Sequence, residues 1–184
     1  MSKKMAEELL IYDEETLLET RVGSIVSARV RNHRTDREDM FYRIDFPDWV
    51  NVIAITAAHE IVLVKQFRFG SRRVELEIPG GAVEKGESPL AAGQRELLEE
   101  TGFVGRNARI IGEVCPNPAI QNNRCFTVLV ENAEYTRGQS MDEMEDIEVV
   151  VVPYLEVNGL VTSAHITHGL VLNALMFYEV MVQK

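Results

Sequence analysis

The stretch GGAVEKGESPLAAGQRELLEETGF, residues 80–103, constrains the fold of this chain more than any other. Ser88 followed by Pro89 reads as a helix start: the serine oxygen accepts from a free amide of the first turn, and proline at the first helical position forfeits no hydrogen bond. Gly102 is the matching stop, because glycine just past the last turn takes the left-handed conformation that ends helices. One strong helix is therefore expected over residues 89–101.

At about 100° per residue, Glu96, Glu99 and Glu100 fall on one face of that helix and Leu90, Ala91, Leu97 and Leu98 on the other. The expectation is a helix that packs by its leucines and presents its glutamates. Like charges three and four residues apart repel by a few tenths of a kcal/mol per pair, roughly, and a bound cation turns that repulsion into attraction. Carboxylate oxygens suit hard ions, Mg²⁺ or Mn²⁺, that share their shell with substrate phosphates. The IPGG turn ahead of the helix brings a backbone carbonyl, such as that of Gly80, toward the same ions. A solvated acidic face is the plainer reading of a glutamate-rich helix taken alone.

The rest of the chain is strand-rich. GSIVSARVRN and MFYRIDFP alternate apolar and polar residues around the polar turn HRTDRED, which predicts an N-terminal antiparallel hairpin. VNVIAITA and IVLVKQFRF read as a second hairpin across residues 58–60, and RVELEIP leads into the glycines. Beyond the helix, RIIGEVCP, RCFTVLVENAEY and DIEVVVVPYLEV have the β-branched and aromatic content of strands. THGLVLNALMFYEVMVQ has helical periodicity, with Thr167 or Ser163 as cap candidates. This order predicts an α+β fold, a mixed sheet sandwiched between helices.

Composition narrows the function. A length of 184 residues suits one domain, and a net charge of −10 argues against neutralising a nucleic-acid backbone. An acidic protein reaches a polyanionic ligand through metal cations or a few placed arginines. No apolar run approaches the roughly 20 residues that span a bilayer, and the N-terminus lacks the apolar core of a signal peptide, so a cytoplasmic protein without membrane contact is expected. Cys115 and Cys125 read as ordinary reduced thiols. His165 and His168, three apart, read as capping or packing residues rather than metal ligands.

From Gly81 the chain runs Gly, five residues, Glu87, seven residues, Arg95-Glu96-Leu97, one residue, Glu99-Glu100, one residue, Gly102-Phe103. This resembles the Nudix box at every defined position, and the flanking strand order resembles the Nudix fold, with residues 50–184 as the hydrolase domain and 1–49 as an N-terminal β extension. Nudix hydrolases cleave a nucleoside diphosphate linked to another moiety. By position, the resemblance implies Glu96, Glu99 and Glu100 as metal ligands, with Glu100 also in the catalytic set. It implies Arg95 as the residue that orients the carboxylates, Glu87 as the tie between loop and helix, and Gly81 as the residue that permits the loop's shape. The loop GQSMDEMEDIEVV resembles the acidic loop of ADP-ribose pyrophosphatases and suggests Glu143 first, Glu145 second, as general base.

VKQFRFGSRRVELEIPGG resembles the corresponding segment of enzymes acting on ADP-ribose and other nucleoside diphosphate sugars. It marks Arg68 for a pyrophosphate contact, since its fork matches phosphate oxygens, Arg72 or Arg73 for a second, and Glu77 for support of the metal site. Phe46, Trp49 and Tyr42 are candidates to stack on the base. Pro118 lies near a proline that ADP-ribose enzymes carry, but PNPAIQNN departs from their Ser-Pro-Gly type loop and leaves room for GDP-mannose and other sugar nucleotides. In the resembling subgroup an N-terminal hairpin packs across a dimer, so a homodimer is implied. The implied activity is hydrolysis of ADP-ribose to AMP and ribose 5-phosphate. A noncatalytic sugar-nucleotide-binding regulator and a hydrolase of dinucleoside polyphosphates are the alternatives.

Overall fold

The computed structural model describes residues 9–140 and 146–182. Their contacts divide them into two compact units: the described residues up to Pro47 with Cys115–Asn123, and Asp48–Val114 with the described residues from Arg124 onward.

The first unit is a three-stranded antiparallel sheet in the order β1 (Leu9–Glu19), β2 (Ser24–Asn32), β3 (Arg37–Asp45). The expected hairpin is β2–β3, in unbroken register from Ser24↔Asp45 to Asn32↔Arg37. The strand β1 was not anticipated: LLIYDEETLLE is largely exposed, and two irregularities in its register on β2 erase the alternation that marks a strand. The 115–123 segment joins this unit through the Ile44 N–H on the Ile120 carbonyl at 2.7 Å and the Phe46 N–H on Asn122 Oδ1 at 3.1 Å.

The second unit is built on a mixed sheet. Its path runs β10 (Ile147–Pro153), β5 (Glu60–Arg68), β4 (Trp49–Thr56), β9 (Cys125–Tyr135), β8 (Phe103–Val114), with β6 (Arg73–Glu77) on β5 and β7 (Gly80–Ala82) on β4. Only β4 and β9 run parallel among these pairs. Both faces are covered, so the central strands read as near-continuous apolar runs. On one face Ile53, Ile55, Leu63 and Leu129 pack with Val171, Ala174 and Leu175 of α3 (Gly169–Val182). On the other, Val50, Val52, Ala54, Val128 and Val130 pack with Ala92 and Leu97 of α1 (Pro89–Thr101). This is the α+β sandwich the element order predicts. A 3₁₀ turn, Tyr154–Glu156, and a short helix α2, Val157–Thr162, follow β10.

The helix α1 begins and ends as its sequence dictates. Ser88 Oγ accepts from the Ala91 N–H at 3.2 Å, and Gly102, at φ 74°, donates its N–H to the Leu98 carbonyl at 2.9 Å. Its facing differs from the expectation. The buried positions are Ala92, Gly93, Leu97, Glu100 and Thr101, whereas Ala91 is exposed and Leu90 and Leu98 are half-buried. The helix therefore does not turn its glutamates away from its packing face: it is rotated so that Glu96 and Glu100 border the sheet. Gly93 permits this, because a Cβ there would press within 2.9 Å of Val128 Cγ2.

The cap expected for the last helix is also corrected. Helix α3 starts at Gly169, with the Leu172 N–H on the His168 carbonyl at 3.1 Å. The Thr167 hydroxyl is engaged by Arg73 and Glu75 instead, and Ser163 closes α2 with its hydroxyl on the Gly159 carbonyl at 2.7 Å.

Candidate active site

The glycine pair is fixed before the helix begins. Strand β7 pairs with β4 through Asn51↔Gly80, Val50↔Gly81 and Trp49↔Ala82, and the ladder is flanked by the Val52 N–H on the Pro79 carbonyl and the Val83 N–H on the Asp48 carbonyl, each at 2.8 Å. Against this strand lies the glutamate edge of α1. The Gly80 N–H donates to Glu100 Oε2 at 3.0 Å. A Cβ at Gly81 would overlap the Glu96 carboxylate, so only glycine lets this side chain lie flat on the strand.

Arg95 ties the acidic groups together. Its Nε and Nη2 form a fork on Glu87 at 3.1 and 3.0 Å, Nη2 also reaches the Ala82 carbonyl at 3.1 Å, and Nη1 is shared between Glu96 at 2.8 Å and Glu99 at 3.0 Å. Glu87, more than any other neighbour, raises the Arg95 pKa against the opposing effect of burial, and Arg95 in turn holds the Glu87 carboxyl below the usual carboxylate range. The repulsion expected among the glutamates is thus offset by a guanidinium in their midst. Among the described residues no three acidic, histidine or cysteine side chains already converge at metal-ligating distance.

Beside the glycines opens a cavity of about 330 Å³ whose wall includes Trp49, Asn51, Arg68, Glu77, Gly81 and His168. The Glu77 side chain is 3% exposed and sits under a fork from Arg68, Nε to Oε1 at 3.1 Å and Nη2 to Oε2 at 2.8 Å, with His168 Nδ1 at 3.5 Å. Burial by itself would raise the Glu77 pKa; His168 and Arg68 outweigh it and lower the value to about 2. Glu77 is a buried carboxylate kept ionised by two basic neighbours.

The other expected residues are distributed as follows. Trp49 lies on the cavity wall, on β4. Arg72 is exposed in the β5–β6 turn at φ 57°, and Arg73 pairs with Glu75 at 2.6 Å and the Thr167 hydroxyl at 2.8 Å. Phe46 belongs to the first unit, where its ring lies over Gly23, and Tyr42 is exposed on β3 of that unit. Pro118 is in the 115–123 segment of the same unit. Glu143 and Glu145 lie outside the described residues. Both cysteines are free; Cys115 is exposed, and burial, aided by Asp48, pushes the Cys125 thiol up to about 12.

Sequence reasoning missed Asn51 as a wall residue, and it read His168 only as a capping or packing group. Asn51 is a polar position inside an apolar strand, a signal that could have marked it, although nothing local ties it to the glycines. His168 precedes a helix some 90 residues from Glu77 in sequence, and only the fold brings the two together.

The NUDIX domain model matches residues 45–174, and the chain belongs to that family. It is 33% identical over 124 residues to an ADP-ribose pyrophosphatase of Bacillus subtilis (strain 168), a match covering 67% of each chain. It is 38% identical over 121 residues to an ADP-sugar pyrophosphatase of Mus musculus, covering 62% of this chain but only 56% of the mouse protein. The resemblance to the ADP-ribose pyrophosphatase subgroup rests on these relatives. A crystal structure described as an ADP compounds hydrolase superposes with a TM-score of 0.85 over 96% of this chain and 95% of its own, at 20% identity, which establishes a shared fold.

Proposed function

We propose that the protein is a divalent-metal-dependent pyrophosphatase of nucleoside diphosphate sugars, acting first on ADP-ribose to give AMP and ribose 5-phosphate, with GDP-mannose and other sugar nucleotides as further substrates. The observation that carries this reading is the carboxylate edge of Glu96 and Glu100, folded against Gly81 and Gly80, with Glu99 joined to Glu96 through Arg95, beside a cavity that holds Trp49 and Arg68. The relatives' names, ADP-ribose and ADP-sugar pyrophosphatase, support the substrate class.

The donor set fits a hard cation. It consists of carboxylate oxygens, one of them on a residue only 5% exposed, beside the glycine strand β7. Glu96, Glu99 and Glu100, with the Gly80 carbonyl, would hold Mg²⁺ or Mn²⁺, and such an ion supplies neutralisation of the pyrophosphate oxygens and a water of lowered pKa.

The chain's own groups do the rest. Arg95 keeps Glu96 and Glu99 aligned while Glu87 anchors its other edge. Arg68, held by Glu77 at the cavity wall, supplies positive charge toward the diphosphate, and Arg72 or Arg73 adds charge from the adjoining turn. Trp49, on the cavity wall, offers a flat face for the base. Glu143, with Glu145 second, removes the proton from the attacking water. The first unit serves a homodimer, and the same reading puts the enzyme in the cytoplasm. Among the described residues no helix is long and apolar enough to cross a membrane.

The test is to incubate the protein with Mg²⁺ and ADP-ribose, GDP-mannose, ADP-glucose, UDP-glucose, diadenosine polyphosphates or nucleoside triphosphates, following phosphomonoester release with Glu100→Gln as control. Cleavage of sugar nucleotides, with ADP-ribose highest in kcat/KM, is expected. Turnover of polyphosphates alone would overturn the substrate class, and binding without turnover in Mg²⁺ or Mn²⁺ would overturn the activity.

A further inference from the structure

His168 stands at the cavity wall with one edge of its ring turned toward Glu77. Nδ1 is buried and has no hydrogen-bond partner within reach; its nearest acceptor is Glu77 Oε2 at 3.5 Å. That separation is about 0.5 Å longer than a formed bond, a gap a small tilt of the ring closes. Glu77 is ionised and accepts only, so the nitrogen facing it carries the proton. In the neutral ring, that placement of the proton leaves a lone pair on Nε2. The His168 side chain is 41% exposed although Nδ1 is not, so the accessible edge is the opposite one, where Nε2 sits.

We infer that His168 is a specificity-determining residue: Glu77 holds Nδ1–H, and Nε2 accepts a hydrogen bond from a donor on the substrate. This rests on the reading of the cavity as the sugar-nucleotide site. Phosphate oxygens only accept, so a lone pair at this position does not recruit them. The donors on such a substrate are the sugar hydroxyls and the exocyclic amino group of adenine. Arg68 engages both oxygens of the Glu77 carboxylate, and His168 faces Oε2 beside it. Thr167, the residue before it, is tied to Arg73 at 2.8 Å and to Glu75 at 3.3 Å, which limits how far the backbone at 168 can drift.

Two substitutions separate the ring's two edges. His168→Asn keeps a donor where Nδ1 lies and removes the Nε2 position; His168→Gln keeps an acceptor near Nε2 and gives up the Nδ1 contact. Binding of ADP-ribose, IDP-ribose and ADP is measured by calorimetry in EDTA, with Tm recorded for each variant and KM and kcat in Mg²⁺. The expected result is a wild-type Tm for His168→Asn with ADP-ribose bound about 3- to 10-fold more weakly, the equivalent of one neutral hydrogen bond, and kcat unchanged. His168→Gln is expected to bind close to wild type. A loss seen with ADP-ribose and IDP-ribose but absent with ADP identifies a hydroxyl of the second sugar, and one absent with IDP-ribose identifies the adenine amino group. Equal binding by wild type and His168→Asn overturns the inference while leaving the proposed function intact. Failure of the wild type to bind or cleave any of the three overturns both.

Discussion

The backbone N–H of Gly80 meets the Glu100 carboxylate at 3.0 Å, joining strand β7 to helix α1 at the edge where the cavity opens. Glu100 is 5% exposed, so its charge is kept in place by this bond and by its surroundings rather than by water. Glu100→Gln preserves an acceptor for the Gly80 amide and removes the charge. The variant is expected to keep its fold and thermal midpoint while losing activity by about a hundredfold or more, the scale of removing a charge-stabilising group. Thermal denaturation beside initial rates checks this; a collapse of the midpoint in step with activity would make Glu100 structural.

Gly81 leaves no room for a side chain beneath Glu96. Because the atoms in the way are the end of a flexible side chain, Gly81→Ala is expected to shift the Glu96 carboxylate rather than unfold the protein. A misplacement of about 1 Å costs on the order of a hundredfold in rate, and the midpoint should move little. Unchanged turnover with lowered stability would contradict this.

Arg95 is shared among Glu87, Glu96 and Glu99 and is 26% exposed. Arg95→Ala leaves those carboxylates facing one another and is expected to cost about 1.5–3 kcal/mol, the range for hydrogen bonds to charged groups. Mg²⁺ should recover part of that loss, so the rise in midpoint on adding Mg²⁺ is larger for the variant than for wild type. Equal shifts would show that the cation does not bind among these carboxylates.

Glu77 has its folded-state pKa lowered from 4.5 to about 2, with burial opposing and His168 and Arg68 prevailing. The stability this contributes is complete above the unfolded value and is lost as pH falls through the folded one. Wild type should therefore lose stability between pH 4.5 and about 2, by roughly 3 kcal/mol from this group. Glu77→Gln should show a correspondingly flatter profile across that window in urea denaturation. Parallel profiles would place the acid sensitivity on other carboxylates.

Helix α1 was legible because local chemistry writes it: Ser88, Pro89 and Gly102 act on backbone amides a few residues away. Its rotation was not, because the buried face is chosen by partners on β4 and β9. Gly93 against Val128 and Glu100 against Gly80 decide the matter, and periodicity alone cannot weigh a buried carboxylate that has an amide waiting for it. The same limit explains β1, whose pairing with β2 depends on a neighbour rather than on its own pattern.

The spacing of Gly81, Glu87, Arg95, Glu96, Glu99 and Glu100 carries the family and the acidic chemistry without reference to any fold, since those residues act within one loop and one helix. Tertiary structure alone unites residues far apart in the chain. It lays Asn51 beside Gly80 through strand pairing, and it sets Arg68 and His168 on either side of Glu77 where β5, β6 and the start of α3 meet. The reason is range: caps and box spacings work over a turn or two of backbone, whereas a cavity wall is assembled from strand register and helix docking, which depend on the whole sheet.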